Sequence, residues 1–263
     1  MRAYETLLVE TLAPHVIQAT LNRPAQANAL NTQMGRDVHD LFQGLMFDAG
    51  DVRCVVLTGA GDKAFCGGGD LKERDGMSDA EWRRQHVIFE QAFEALMDCP
   101  IPVIAAVNGA AYGGGCEFAL ACDFIYAASG ARFALTETSL GIIPGGGGTQ
   151  NLPRAVGVRR ARELIFTAAP FTAEEALAWG MVNRVVASDA LIAAALETAQ
   201  RIAGNAPIAI RQAKRAIGLG ADADLKTGLG IEIEAYNRTP PTADRREGVT
   251  AFREKRRPVF RGE

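Results

Sequence analysis

Three short apolar segments, each followed by a glycine-rich turn, constrain the fold of this chain more than any other feature. The segments and their turns are 52–58 with 67–69, 102–107 with 113–115, and 124–127 plus 132–134 with 145–148. Apolar runs of this length bounded by glycine are typical of buried β-strands. A strand–turn–strand–helix unit that recurs in this way stacks its strands into layered sheets with helices outside. The sequence therefore predicts an α/β fold.

The predicted repeat is preceded by two strands and followed by a long helical stretch. Residues 4–21 alternate between polar and apolar side chains, as two adjoining strands would, and Asn31 is placed to cap the helix that follows. From residue 159 onward the pattern is almost wholly helical. With 263 residues, 48% of them hydrophobic, the chain can bury a substantial core. We predict one core domain over 1–200 and a helical C-terminal region over 201–263.

The charge balance limits the partners that this chain can attract. The sequence has 28 Lys and Arg against 31 Asp and Glu, a net charge of -3. A charge this close to balance gives no strong field towards nucleic acid or a membrane surface. We therefore expect neither partner, and an anionic ligand would have to be bound by local groups.

Cysteine usage and the lack of long apolar runs predict a cytoplasmic protein. The five cysteines lie in or beside apolar stretches without CxxC spacing, which is typical of buried, reduced thiols. The first residues lack the apolar core of a signal peptide. No apolar run reaches the roughly 18 residues that a membrane span requires.

Several well-known catalytic motifs are absent from the sequence. There is no GxxxxGK[ST], no GxGxxG after a strand, no GxSxG and no HExxH. The histidines His15, His39 and His86 lie far along the chain from the glycine turns. A histidine-centred triad or metal site is therefore not expected, and each histidine is predicted to be an ordinary surface or core residue.

The glycine turns could bind a substrate oxygen through their backbone N–H groups. The turn 113–115 directly precedes an apolar helix, so its N–H groups would lie at the positive end of the helix dipole. The turn 67–69 could supply a second donor. Two converging N–H groups form an oxyanion hole, in which one donor typically lowers a barrier by about 3 kcal/mol. The alternative, that these glycines only close tight turns, stays open, because glycine serves turns far more often than catalysis.

Two glutamates near these turns are candidates for proton transfer. Glu117 follows Gly115 by two residues in an apolar segment, where loss of hydration would raise its pKa towards the useful range. Glu137 lies between the second and third glycine turns. Each could instead be a first-turn acid that complements a helix dipole, with Thr136 as a cap beside Glu137. The residues alone do not bring the two side chains together.

Three blocks of sequence occur in a distinctive order along the chain. They are AFCGGGDLK at 64–72, NGAAYGGGCE at 108–117, and FALTETSLGIIPGGGGTQ at 133–150, and AFREKR follows at 251–256. In these blocks, and over essentially its whole length, the chain resembles the crotonase (enoyl-CoA hydratase/isomerase) superfamily. The motifs of that superfamily are AFxxGxDL, NGxxxGGGxE and FxxxExxxGxxPGxGGTQ, with AFxEKR near the end.

The resemblance implies a crotonase-like spiral of repeated ββα units with a helical C-terminal trimerisation region. The protein would then be a homotrimer or a dimer of trimers. By the same resemblance, the oxyanion hole uses the N–H groups of Gly69 and Gly114. The residues implied to bind the acyl-CoA are Gly67, Gly69, Asp70, Leu71, Lys72, Gly114, Phe252 and Lys255. The last two belong to a tail that often reaches the coenzyme A of a neighbouring subunit. Lys72 and Lys255 would supply local positive charge for the anionic coenzyme A.

The glutamates indicate which reaction the resemblance implies. Hydratases of the superfamily carry acids at both positions represented here by Glu117 and Glu137, whereas many isomerases retain only the second. We therefore expect the two side chains to share one water, with Glu137 supplying the proton to C2. No metal or redox cofactor is implied, because coenzyme A is part of the substrate.

Within the superfamily, the chain is most similar to the methylglutaconyl-CoA hydratase branch. The likeness lies in LKER at 71–74, in residues 141–157 and in the C-terminal segment. It implies a branched or glutaconyl-type substrate from leucine degradation. The alternatives are an isomerase that uses Glu137 alone and a non-catalytic member that binds coenzyme A or RNA. Residues 29–48 contain only Arg36 as a basic residue, so a lysine-rich RNA-binding helix is not expected.

Overall fold

The computed structural model describes residues 3–263. The strands are β1 (Leu7–Ala13), β2 (Val16–Leu21), β3 (Cys54–Gly59), β4 (Ala64–Cys66), β5 (Val103–Val107), β6 (Ala110–Tyr112), β7 (Phe124–Ala128), β8 (Arg132–Ala134), β9 (Phe171–Thr172) and β10 (Arg184–Val186). The helices are α1 (Thr32–Phe47), α2 (Leu71–Arg74), α3 (Asp79–Asp98), α4 (Gly114–Ala121), α5 (Gly148–Val156), α6 (Val158–Thr167), α7 (Ala173–Ala178), α8 (Leu191–Ala203), α9 (Pro207–Ala221), α10 (Leu225–Asn237) and α11 (Ala243–Glu254). The predicted order of two strands and a helix recurs along the chain.

The strands of each repeat are divided between two sheets. The larger sheet has the order β1-β2-β3-β5-β7-β10, and the smaller has the order β4-β6-β8-β9. The first strand of each repeat thus enters the larger sheet and the second enters the smaller one. Strands of successive repeats pair in parallel within each sheet. This alternation confirms the predicted spiral of ββα units.

Burial explains why β3 and β5 form the centre of the larger sheet. Every residue of both strands is buried, and they pair in parallel. A parallel strand covered on both faces needs a continuous apolar run, which is the pattern seen in the sequence. One face of the sheet packs towards α1, α3 and α4 in the main core. The opposite face packs against α8 through a second cluster.

Local signals fixed several element boundaries correctly. The Asn31 side chain accepts a hydrogen bond from the N–H of Met34 at 2.9 Å and caps α1, as predicted. Other elements were not foreseen, among them α5 and β9. Helix α5 begins inside a glycine run that was expected to form only a turn, and it contains Pro153, so its composition argues against a helix. Strand β9 has two residues, too few for a periodic pattern.

The helices after α8 differ from the rest of the chain in their burial. Helix α9 buries only Pro207 and α10 only Ala235, whereas five residues of α8 are buried. Large apolar side chains are exposed along this region: Ile217, Leu225, Ile233, Tyr236, Val249 and Phe252. The ammonium of Lys214 lies 2.7 Å from the carboxylate of Asp123 and ties α9 to the core. The predicted boundary at residue 200 stays a prediction; α8 runs across it and packs as one unit.

The thiols are placed as the sequence predicted. Cys54, Cys66, Cys99, Cys116 and Cys122 are all buried and unbridged. Burial raises the pKa of the Cys66 thiol to about 11, so that thiol stays protonated at neutral pH. Within the part of the chain that the structure describes, no helix is both long and apolar enough to cross a membrane.

Gly115 marks the closest approach between a helix and the smaller sheet, so we expect Gly115→Ala to destabilise the fold strongly. A Cβ on Gly115 would overlap the carbonyl oxygen of Cys66 and lie 2.7 Å from its carbonyl carbon. Both are backbone atoms and cannot rotate away, so the free energy of unfolding should fall by about 3 kcal/mol. In the control Gly44→Ala, the new Cβ has no atom within 4 Å. That change in α1 should stabilise by about 0.5–1 kcal/mol. Urea denaturation of both variants checks this, and equal stabilities would contradict it.

Candidate active site

The glycine turns and the two glutamates line one cavity of about 680 Å³. Its walls come from the segment before α2, the start of α4, the turn after β8, the loop before α5 and one face of α3. The candidate residues that line it are Gly67, Gly69, Leu71, Gly114, Glu117 and Glu137. Groups that are distant in the sequence are therefore adjacent in the fold.

The N–H of Gly69 is directed away from its neighbouring segment. Leu30 pairs with Gly69 as in a parallel ladder: the N–H of Leu30 donates to the carbonyl of Gly68, and the N–H of Asp70 donates to the carbonyl of Leu30. In such a pair, the N–H of the middle residue points to the opposite side, which here is the cavity. Gly68 has φ +95, and a Cβ there would lie 2.8 Å from the carbonyl oxygen of Tyr112, so glycine is required.

The N–H of Gly114 lies close to that of Gly69. Gly114 is the first residue of α4, and the N–H groups of a first turn have no acceptor within the helix. A Cβ on Gly114 would be 3.9 Å from the nitrogen of Gly69. Gly114 of the second repeat therefore lies next to the backbone nitrogen of Gly69 of the first, and both residues line the cavity. A single carbonyl oxygen could accept from both.

Glu117 is buried and held by backbone donors from another part of the chain. Its side chain is 3% exposed, and Oε1 accepts hydrogen bonds from the N–H of Gly146 at 2.7 Å and of Gly148 at 2.8 Å. Burial, with a smaller contribution from the charge of Glu137, raises the pKa of Glu117 to about 7 against the opposing effect of the two backbone donors. The raised pKa predicted from its apolar surroundings is confirmed.

Glu137 is the second buried acid of the cavity. It begins a short 3-10 turn, Glu137–Leu140, and is 8% exposed. Its Oε1 lies 3.1 Å from the point that a Cβ on Gly113 would occupy, so it approaches the start of α4. Burial raises the pKa of this carboxyl group. Its Oε2 is buried and has no hydrogen-bond partner among the described residues, so it is available to a water or a substrate.

The raised pKa of Glu117 predicts a pH-dependent cost to stability. A carboxyl group whose pKa rises from 4.5 to about 7 on folding stabilises the fold below pH 4.5, and this contribution is lost as the pH rises through 7. Glu117→Gln cannot ionise, so its stability relative to the parent protein should increase by roughly 2–3 kcal/mol between pH 5 and pH 8. Denaturant unfolding at both pH values measures this. The exposed Glu94→Gln is the control, and parallel pH profiles for the parent and Glu117→Gln would contradict the prediction.

One wall of the cavity consists of side chains from the segment 77–93, which was expected to line the acyl pocket although its individual residues were not identified. Trp82, His86, Phe89 and Phe93 of α3 line the cavity. They recur at helical spacing, which is the signal that could have identified them. Phe93 also packs on Phe118 of α4, with ring centroids 4.5 Å apart. His86 lies far along the chain from the glycine turns but is close to the third one in the fold, since a Cβ on Gly145 would lie 2.6 Å from its ring.

The sequence and the structure match one family throughout. The chain matches the model of the enoyl-CoA hydratase/isomerase family over residues 12–263. The chain belongs to the enoyl-CoA hydratase/isomerase family. It is therefore an enzyme of the crotonase fold, as its solved relatives also indicate. A crystal structure of enoyl-CoA hydratase from Bacillus anthracis superimposes with a TM-score of 0.96 at 47% identity, covering 98% of this chain and 100% of that one.

Relatives of this enoyl-CoA hydratase/isomerase family member include proteins named as hydratases. A short-chain-enoyl-CoA hydratase of Clostridium acetobutylicum is 44% identical over 92% of this chain and 92% of its own length. The mitochondrial methylglutaconyl-CoA hydratase of Homo sapiens is 41% identical over 94% of this chain and 74% of its own length. The relatives thus include the branch that the sequence motifs indicated.

The remaining residues implied to bind coenzyme A lie outside the cavity of this family member. Asp70 caps α2 through the N–H of Lys72 at 3.1 Å, and its carboxylate lies 2.9 Å from the guanidinium of Arg23. Lys72 is exposed. Phe252 is 87% exposed on α11, and Lys255 follows that helix. Their roles in binding coenzyme A stay predictions.

Proposed function

We propose that this enzyme adds water across the 2,3 double bond of an enoyl-CoA thioester. The observation that carries the proposal is the pairing of Glu117 and Glu137, two buried acids of raised pKa, in the cavity that holds the N–H groups of Gly69 and Gly114. Acids with a pKa near neutrality are suited to accept and donate protons at physiological pH. Paired amides are suited to stabilise negative charge on a thioester oxygen.

In the proposed reaction each group has one role. The thioester oxygen accepts hydrogen bonds from Gly69 and Gly114, which withdraws electrons from C3. Glu117, ionised and held at Oε1 by two amides, accepts a proton from water while the hydroxide oxygen bonds to C3. The C2–C3 double bond becomes a single bond, and the electron pair passes to the enolate. Glu137 donates its proton to C2, and proton exchange returns both acids to their starting states. Coenzyme A remains attached throughout, and no resident cofactor takes part.

One feature of the site favours an alternative in the same family. Oε2 of Glu137 has no partner among the described residues, so Glu137 alone could move a proton between carbons and act as an isomerase. Under that alternative Glu117 is a bystander. A member that only binds coenzyme A or RNA would show no turnover at all.

We further propose that the acyl group is branched or of the glutaconyl type, as in leucine degradation. The methylglutaconyl-CoA hydratases among the relatives support this, together with the LKER segment at 71–74. The exposed apolar side chains of α9, α10 and α11 suit a homotrimer or a dimer of trimers. In such an assembly, Phe252 and Lys255 would reach the coenzyme A of a neighbouring subunit. A cytoplasmic location remains part of the same proposal.

The proposal is tested by following the absorbance of the conjugated thioester with a panel of enoyl-CoA substrates. The panel contains crotonyl-CoA, a branched enoyl-CoA and glutaconyl-CoA. We expect rapid loss of absorbance with at least one member and formation of the 3-hydroxyacyl product. Equal and very weak rates across the panel would reject the hydratase assignment. Conversion to a 3-enoyl product without water uptake would favour the isomerase.

A further inference from the structure

A guanidinium group without a carboxylate partner faces the cavity beside Gly69. Arg74, the last residue of α2, lines the cavity, and its Nη1 lies 3.5 Å from the point that a Cβ on Gly69 would occupy. Within residues 3–263, no carboxylate forms an ion pair with Arg74 at 4.0 Å or less. The amino groups of its guanidinium are thus free to bind a ligand.

Hydrogen bonds at the Nε edge, away from the two amino groups, fix the orientation of this guanidinium. Its Nε donates to Oε1 of Gln85 at 2.7 Å. Gln85 is 4% exposed and cannot turn, because its Nε2 donates to Thr32 at 2.9 Å and to Glu73 at 2.8 Å. The Nε edge of Arg74 is therefore anchored, and the edge formed by the two amino groups is left for the cavity.

Aromatic rings hold the flat face of the same group. Cζ of Arg74 lies 4.1 Å from the ring centroid of Trp82 and 5.2 Å from that of Phe89. Stacking of this kind restrains a guanidinium while keeping its hydrogen-bonding edge free. Burial lowers the pKa of Arg74, and the charge of Glu73 opposes that effect. An arginine still keeps its proton at neutral pH.

None of the charged groups that line the cavity in the described part of the chain forms an ion pair with Arg74. His86 and Glu90 pair with each other, with 3.4 Å between Nε2 and Oε1. Arg83 adds a further positive charge at an exposed position. The apolar side chains of Leu71, Val87, Phe89, Phe93 and Ile142 share the walls with Arg74. A fixed charge among apolar walls favours a ligand of opposite charge, and a planar guanidinium matches a carboxylate with two parallel hydrogen bonds.

We propose that Arg74 binds the terminal carboxylate of a short dicarboxylic acyl chain. Arg74 thereby selects substrates whose acyl group carries a carboxylate over substrates whose acyl group is neutral. Nη1 lies beside Gly69, whose amide binds the thioester oxygen in the proposed function. Only a short diacid can therefore place its thioester oxygen at Gly69 and its terminal carboxylate at Arg74 at the same time. Arg74 is then a specificity-determining residue. This inference rests on the proposed function for the turnover of the substrate, although binding can be tested separately.

The turnover test compares glutaconyl-CoA with crotonyl-CoA, which lacks the carboxylate. Arg74→Met keeps an apolar side chain but removes the guanidinium group and its two parallel N–H donors. It should lower the ratio of kcat/KM for glutaconyl-CoA to kcat/KM for crotonyl-CoA roughly 10- to 100-fold. Arg74→Lys keeps the positive charge but not the two parallel N–H donors, and it should lower this ratio by a smaller factor. Arg84→Met removes the same charge from an exposed position of α3 and should leave the ratio unchanged. An equal loss for both substrates in Arg74→Met would overturn the proposal.

A binding test separates this inference from the proposed function. Glutaryl-CoA and butyryl-CoA are saturated and cannot be hydrated, so calorimetry measures their affinities without turnover. We expect the parent enzyme to bind glutaryl-CoA more tightly and Arg74→Met to lose that preference, with a thermal unfolding curve to confirm that the variant is folded. If neither enoyl-CoA is hydrated but the preference is present and lost in the variant, only the proposed reaction fails. If the parent enzyme binds glutaryl-CoA no more tightly than butyryl-CoA, the role of Arg74 is rejected.

Discussion

Glu117→Gln is expected to lower kcat/KM for hydration by roughly a thousand-fold or more, within the range lost when a positioned acid or base is removed. The change keeps the size of the side chain, and the amide oxygen can still accept from Gly146 and Gly148. What is lost is the capacity to accept a proton from water. Steady-state kinetics with the best substrate of the panel measures the effect, and Glu94→Gln on the exposed side of α3 serves as the control.

The same variant decides between the two activities of the family. An isomerase that uses Glu137 alone would retain most of its rate in Glu117→Gln and lose it in Glu137→Gln. A hydratase needs both acids, so both variants should be severely impaired. Retention of most hydration activity by Glu117→Gln would refute the shared role of the two glutamates. Unfolding measurements at pH 8 show whether a loss of activity arises from chemistry, since Glu117→Gln is expected to be the more stable protein at that pH.

Gly114→Pro is expected to lower kcat by about 100- to 1000-fold, because it removes one backbone donor from the proposed oxyanion hole. Proline is well tolerated as the first residue of a helix, where its missing N–H has no acceptor within the helix. Gly114 occupies that position in α4, and an added Cβ there meets no atom closer than 3.8 Å. The fold should therefore survive while the donor is lost.

The measurement for Gly114→Pro pairs kinetics with binding. Affinity for butyryl-CoA should change much less than kcat, because the oxyanion forms only during the reaction. Thermal unfolding reports any damage to α4. A variant that unfolds at the parent temperature and keeps the parent kcat would show that the amide of Gly114 has no part in catalysis.

The sequence predicted those parts of the fold that local patterns determine. The buried strands of the larger sheet and the cap at Asn31 both follow from patterns within a few residues. Local chemistry was sufficient for these elements. It also predicted that the glycine turns could bind an oxygen, because a turn before a helix exposes N–H groups whatever the rest of the fold, and that role stays a prediction.

The contacts that complete the site depend on tertiary structure and could not be predicted from sequence patterns. The donors to Glu117 come from 29 and 31 residues further along the chain, and no pattern at that distance identifies a hydrogen bond. The stripe on α3 could not be assigned, since side chains that face a cavity show the same spacing as side chains that face a core. Arg74 entered the sequence analysis only as part of the LKER segment, and only the positions of Trp82 and Gln85 show that its side chain is restrained.

The spiral arrangement also bears on how this chemistry can diverge. The first repeat supplies Gly69, the second supplies Gly114 and Glu117, and the third supplies Glu137, all at the same edge of the structure. Because each repeat has its own strands in both sheets, a substitution in one leaves the backbone of the others in place. Evolution can therefore exchange one functional group for another within a lineage, altering the reaction catalysed while the amides proposed to polarise the thioester are inherited unchanged.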